Sequence, residues 1–286
     1  MSLSFLSRRS ARVALLFALA QCIAPSAPAE EAKKPQAKPP TAAAVAARKA
    51  DAAHYAACMA KIDASAKDAF DDADAWAALG GGEPAKHCAA AALLKLGFAA
   101  DAAERLEALA RKSSQDEATR AAMWAQAAQA WSAAKDWARA HAAQSSAIRI
   151  APRDADLWIG RARIRALAQN YGLAVDDLNE ALKLRPGNVE ALVMRASAYR
   201  YLDAPDLSLQ DLDAALKAEP DNPQARLERG IVHRLQKRPD LARADWKAAL
   251  LVLPEDSPLL EEVRRNIELL EFPAPAETEK PAPAKP

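Results

Sequence analysis

Residues 181–188 read ALKLRPGN, and nearly the same phrase recurs as AIRIAPRD at 147–154, ALKAEPDN at 215–222 and ALLVLPED at 249–256. Proline has no N–H to give to a helix, and its ring pushes the preceding residue out of helical geometry, so each phrase marks a helix end. Two residues on stand Asp154, Asn188, Asn222 and Asp256, whose side chains accept hydrogen bonds from the first free amides of a following helix. The phrase is therefore a stop followed by a start. Pro152, Pro186, Pro220 and Pro254 are spaced 34 residues apart, which divides 121–256 into the units 121–154, 155–188, 189–222 and 223–256.

Aligned on those prolines, the units share further columns. Position 8 holds Ala128, Ala162, Ala196 and Gly230, and position 27 holds Ala147, Ala181, Ala215 and Ala249. Small residues at these two places let two antiparallel helices approach closely, and the larger Ile148, Leu182, Leu216 and Leu250 fill the space beside them. Within each unit Asp136 and Asn170 suit the cap of a second helix, while Pro205 and Pro239 suit its first position. Arg161, Arg195 and Arg229 occupy position 7, and Asp177, Asp211 and Asp245 position 23 of the same three units, whereas the first unit has Ala127 and Ala143. The two positions flank the facing apolar stripes, so the pattern predicts three structural ion pairs, a use to which the donor fork of arginine is suited.

These columns resemble the tetratricopeptide repeat. Trp124, Trp158 and Leu192 match its first large position, Trp131 and Tyr199 its eleventh, and the alanine and proline columns complete the match. Arg226, Arg165 and His233 stand where the family carries large apolar residues. The resemblance implies an all-α fold, a right-handed solenoid of antiparallel helix pairs, and a concave groove that binds a protein or an extended peptide.

Around this core the chain divides by composition. Residues 48–120 read as degenerate helical repeats: Tyr55, Cys58, Met59 and Ile62 form one helical stripe, Phe70, Ala73 and Ala77 another, and 83–116 resembles a further unit, displaced by a short insertion around SSQDEATR. Residues 257–272 carry Leu260, Val263, Ile267 and Leu270 on one face, as a capping helix requires. Residues 30–47 and 273–286, rich in proline, alanine and lysine, read as a disordered linker and a disordered tail.

Residues 1–29 read as an export signal, with Arg8, Arg9 and Arg12 ahead of the apolar run VALLFALA and Ala27-Pro28-Ala29 at the cleavage site. That run is too short to span a bilayer. A lipid anchor at Cys22 is the lesser alternative, because Gln21 stands where such a box carries a small residue. Export makes the expected location periplasmic or secreted. Without the three leader arginines, 39 basic residues fall to 36 against 38 acidic ones, which gives no basis for a nucleic-acid partner.

Cys58 and Cys88 remain in the exported body, an even pair in an oxidising compartment, and a disulfide between them is expected. A zinc reading of His54, Cys58, His87 and Cys88 is disfavoured, since adjacent helical residues point about 100° apart. No metal or cofactor is expected.

The family's concave face maps to Ile159, Arg163, Val193, Arg200, Tyr201, Leu227, Ile231 and Arg234, where three arginines beside exposed apolar groups suit an extended peptide carrying carboxylates. A lysine and asparagine clamp, as in chaperone-binding members, is missing: its places hold Ile159, Val193 and Leu227, and Arg163, Ser197 and Ile231. No nucleophile elbow, phosphate loop or HExxH motif occurs, so no enzymatic activity is expected. The functional expectation is a periplasmic adaptor, with a structural component of a cell-envelope complex as the alternative.

Overall fold

The computed structural model describes residues 41–271, which form thirteen helices and no strands. The export signal, Cys22 and the tail at 273–286 lie outside the described residues. Helices pair in sequence as α1 (Ala42–Ala64) with α2 (Ala66–Ala78), α3 (Gly82–Lys95) with α4 (Ala99–Lys112), and α5 (Glu117–Ala133) with α6 (Trp137–Ile150). Then follow α7 (Ala155–Leu167) with α8 (Tyr171–Leu184), α9 (Val189–Tyr201) with α10 (Pro205–Ala218), α11 (Pro223–Leu235) with α12 (Pro239–Leu250), and the single α13 (Pro258–Glu271).

Within each pair the two helices pack closely, and each second helix also packs on the first helix of the next pair. First helices approach one another along the stack, as α1 does α3, α7 does α9 and α9 does α11, while second helices make no comparable contact. The first helices therefore lie on the inside of the curve. Pro152, Pro186, Pro220 and Pro254 all fall in the turns between pairs.

The small columns sit where the helices meet: Ala128, Ala162, Ala196, Ala147, Ala181, Ala215 and Ala249 are all fully buried. Gly230 completes the column for a visible reason. A Cβ there would lie 2.2 Å from Trp246 Nε1, because Trp246 fills the place that Leu178 and Leu212 occupy in the preceding units.

The turns inside the units repeat as well. Lys135, Gln169, Asp203 and Lys237, 34 residues apart, all adopt positive φ of 55–62°, and Gly97 takes the same role in the α3–α4 turn. Asp136 caps α6 by accepting from the Arg139 amide, whereas Asn170 makes no side-chain cap bond, a departure from expectation. Asp154, Asn188 and Asn222 cap α7, α9 and α11. Asp256 does not cap α13: Pro258 sets that helix one residue later, and Ser257 Oγ accepts from Leu259 N instead.

Two other boundaries differ from the sequence reading. Helix α1 begins at Ala42, inside the stretch expected as linker, since its alanines favour helix. The insertion narrows to the residues after Lys112, because Asp116 caps α5 through the Thr119 amide and Glu117–Arg120 become its first turn. At the other end α13 lays Val263, Ile267 and Leu270 against the cluster around Trp246, closing the core.

Candidate functional site

The six residues read as ion pairs come together as three pairs, one in each unit from 155 onward. Arg161 holds Asp177 through Nε at 3.0 Å and Nη2 at 2.7 Å, and Arg229 holds Asp245 through the same two nitrogens at 2.9 and 2.6 Å. The sequence reading missed the third donor. Nη1 of Arg161, Arg195 and Arg229 reaches back to Ser145, Asn179 and Asp213, each on the second helix of the preceding pair and each sixteen residues earlier. The signal was a constant spacing to a polar residue, hidden because the acceptor changes from hydroxyl to amide to carboxylate. The hydrogen bonds that Arg229 donates to Asp245, aided by the one to Asp213, hold its pKa well above the ordinary arginine value.

Two departures from the family pattern follow from these buried carboxylates. Arg165 turns inward to Asp177, 2.7 Å away, and His233 stands 3.9 Å from Asp245. Arg226 likewise replaces an aromatic by donating Nε to the Pro220 carbonyl, as Trp158 donates Nε1 to the Pro152 carbonyl.

The expected groove needs correction. Ile159, Val193, Leu227 and Ile231 are buried against the neighbouring helices, and of the four only Ile159 and Val193 reach the wall of a hollow. Arg163 pairs with Glu190 and Arg200 with Glu228 at 3.1 Å, so two of the three arginines are already neutralised within the protein. Burial raises the Glu228 carboxyl pKa despite that arginine. Arg234 has no acidic partner among the described residues, and its Nε is buried without an acceptor. Tyr201 does stand half exposed at 55%, stacked on Tyr171 with ring centres 4.4 Å apart and covered by the Arg200 guanidinium.

Three hollows run along the first helices. One of about 360 Å³ lies against α7 and contains Ile164, Arg163 and Glu190. Another, of about 550 Å³ over α7, α9 and α11, is lined by Val193, Glu190, Glu219 and Glu228 together with Arg163. The third, about 750 Å³, spans α1, α3 and α5 and was not foreseen from the sequence. It opens where α3 and α5 spread apart, after the loop that separates α4 from α5.

A hydrogen-bonded chain crosses its wall. Tyr55 Oη on α1 lies 2.9 Å from His87 Nδ1 on α3, and His87 Nε2 lies 2.5 Å from Gln126 Oε1 on α5. With the proton on Nε2, the tyrosine hydroxyl donates to the imidazole and the imidazole donates to the amide oxygen. Desolvation raises the Tyr55 pKa, keeping its hydroxyl a donor at neutral pH. Behind this chain Cys58 and Cys88 form a disulfide with Cα atoms 6.3 Å apart. Of the four residues weighed for zinc, His54 instead stacks on Trp76 at 4.0 Å, and His87 serves the chain just described.

No protein-family model and no curated protein matches the chain. Solved structures do. A tetratricopeptide repeat protein from Parabacteroides merdae shares 21% identity over 64% of this chain and 70% of its own, with a TM-score of 0.53. MamA from Desulfovibrio magneticus shares 16% identity over 59% of this chain and 93% of its own, with a TM-score of 0.50. Together with the helix pairs and their 34-residue metre, these likenesses show that the chain has the tetratricopeptide-repeat fold.

Proposed function

We propose that the protein is a non-enzymatic scaffold of the bacterial periplasm that binds a protein partner, or an extended peptide from one, along the inner face of its solenoid. The observation that carries this reading is the run of three hollows along the first helices, the largest about 750 Å³. Grooves of this kind bury an extended segment and fix it through a few polar groups. Export is supported by the leader-like residues 1–29 and by the Cys58–Cys88 bond, which suits an oxidising compartment.

A photo-crosslinking side chain placed at Ala122 or Tyr201 in cells should capture the same protein from both sites, and none from Lys247 on α12. Capture from Lys247 alone would overturn the inner-face reading. A leader that remains uncleaved on cytoplasmic protein would overturn the location.

One observation favours a second reading, assembly with like or unlike chains. Leu173, Leu207 and Leu241 recur every 34 residues on second helices and stay 50%, 46% and 48% exposed. Sedimentation showing an oligomer that persists on dilution would favour assembly, whereas a monomer favours the adaptor.

A further inference from the structure

The cavity between α1, α3 and α5 differs in chemistry from the arginine-lined groove expected from the sequence. Its charged lining is acidic, with Asp51 on α1 and Glu83 at the head of α3, and no lysine or arginine among the described residues lines it. Asp51 is exposed and has no partner among the described residues. Glu83 accepts one hydrogen bond, from Ser113 Oγ at 2.8 Å to Oε2, which leaves the other carboxylate oxygen for a ligand. Pro84, Ala122 and Met123 supply an apolar wall. A long apolar stem ending in a cation fits such a lining: the methylenes lie along the wall and the charged head meets the carboxylates.

The same sign continues along the inner face. In the hollow over α7, α9 and α11, Glu190 is closed on Arg163 and Glu228 on Arg200, which leaves Glu219 as the carboxylate without an arginine. An acidic peptide would meet carboxylates in both places, and a basic one would be drawn to them.

We propose that this cavity seats a lysine or arginine side chain presented by an extended segment of the partner protein; the proposal rests on the reading of the inner face as the binding surface. The disulfide prepares the seat. Cys58 lies one helical turn beyond Tyr55 and Cys88 follows His87, so the bond holds α1 against α3 and keeps two walls of the cavity in place before any ligand arrives.

The probe is a fluorescein-labelled, end-capped peptide of alanine and proline with one central lysine, compared with versions carrying norleucine or glutamate there. Binding to the oxidised full chain is read by fluorescence anisotropy at low salt. The lysine peptide should bind roughly tenfold tighter than the norleucine peptide, which corresponds to one charge-assisted contact, and the glutamate peptide should bind weakest. Asp51→Asn alone should remove part of that advantage, and Asp51→Asn with Glu83→Gln all of it, with circular dichroism confirming that both variants remain folded.

Equal binding of the lysine and norleucine peptides, no binding of the lysine peptide, or an advantage that survives the double substitution overturns the cationic seat. A photo-crosslinker at Ala122 separates that failure from failure of the broader reading. Capture at Ala122 without dependence on the central charge removes only the cation, whereas capture confined to Lys247 removes the inner face as well. If deleting residues 30–40 is required before the lysine peptide binds, the cavity belongs to the chain's own lysines, and the partner assignment fails.

Discussion

Arg195 grips Asp211 through two parallel hydrogen bonds, Nε to Oδ2 and Nη2 to Oδ1, both 2.7 Å, and spends its remaining nitrogen on Asn179 of the preceding unit, also at 2.7 Å. One side chain thus fastens two helices of its own unit and ties that unit to its neighbour. The Asp211 side chain is only 7% exposed, so this carboxylate depends on the arginine for its charge compensation.

Arg195→Met is therefore expected to cost about 3 kcal/mol, the order found when one member of a buried pair is removed. Arg195→Met with Asp211→Leu should recover much of that loss. Urea unfolding of the two single variants and the double variant checks this, and simple additivity would reject the coupling. Asn179→Ala leaves the pair intact and should cost about 1 kcal/mol, the worth of one hydrogen bond. Because it loosens contact between units, it should also broaden the unfolding transition.

Glycine to alanine inside a helix ordinarily stabilises by about 0.5–1 kcal/mol. Gly172→Ala on α8 should follow that rule, since a Cβ there meets nothing within 4 Å. Gly230→Ala should do the reverse, by about 1–3 kcal/mol, because the Trp246 ring fills the space. Trp246→Leu added to Gly230→Ala recreates the pairing of Ala196 with Leu212 and should lessen the damage, as thermal melts of the three variants would show.

His141 and His233 share a pH signature. Desolvation lowers both pKa values from the ordinary 6.5, with Arg165 adding to the effect at His141 and Asp245 opposing it at His233. Below pH 6.5 the unfolded chain takes up these protons more readily than the folded one, so their contribution to stability, full above 6.5, is lost as pH falls towards the folded values. Glu228 acts in the opposite sense, since burial raises its pKa and its ionisation weighs against the fold as pH rises above the ordinary 4.5. Melting temperature should drop between pH 7.5 and 5.5, and His141→Gln with His233→Gln should flatten that drop. An unchanged slope in the double variant would refute the assignment.

Reduction of Cys58–Cys88 opens a loop with a sequence separation of 30 and should cost about 3–4 kcal/mol in the chain-entropy view. The loss should concentrate in α1–α3, because contacts in a solenoid are with neighbours only. Hydrogen exchange with and without reductant should show faster exchange there and little change in α9–α13.

Much of this molecule is legible in its sequence. Pro186 and Asn188 announce a stop and a start by local backbone chemistry alone, and local chemistry does not depend on what the helix later touches. Repetition then strengthened the reading, since four copies of one phrase at 34-residue spacing report a single structural unit. The pairing of Arg161 with Asp177, and of its two counterparts, was legible for the same reason: both members recur in three units and are absent together from the first.

Contacts between units were settled only by tertiary structure. Whether Ile159 or Val193 faces a partner or the next pair depends on how closely successive pairs stack, which no single helix encodes. Arg163 and Arg200 looked available because Glu190 and Glu228, their partners, lie 27 and 28 residues away on the following first helix. The cavity of about 750 Å³ arises because the loop between α4 and α5 spreads α3 from α5, while Tyr55, His87 and Gln126 meet from three helices more than thirty residues apart. The sequence by itself determined the elements and their metre, since those rest on interactions within a turn or a unit; the packing of unit on unit decided which surfaces remain open and what charge they carry.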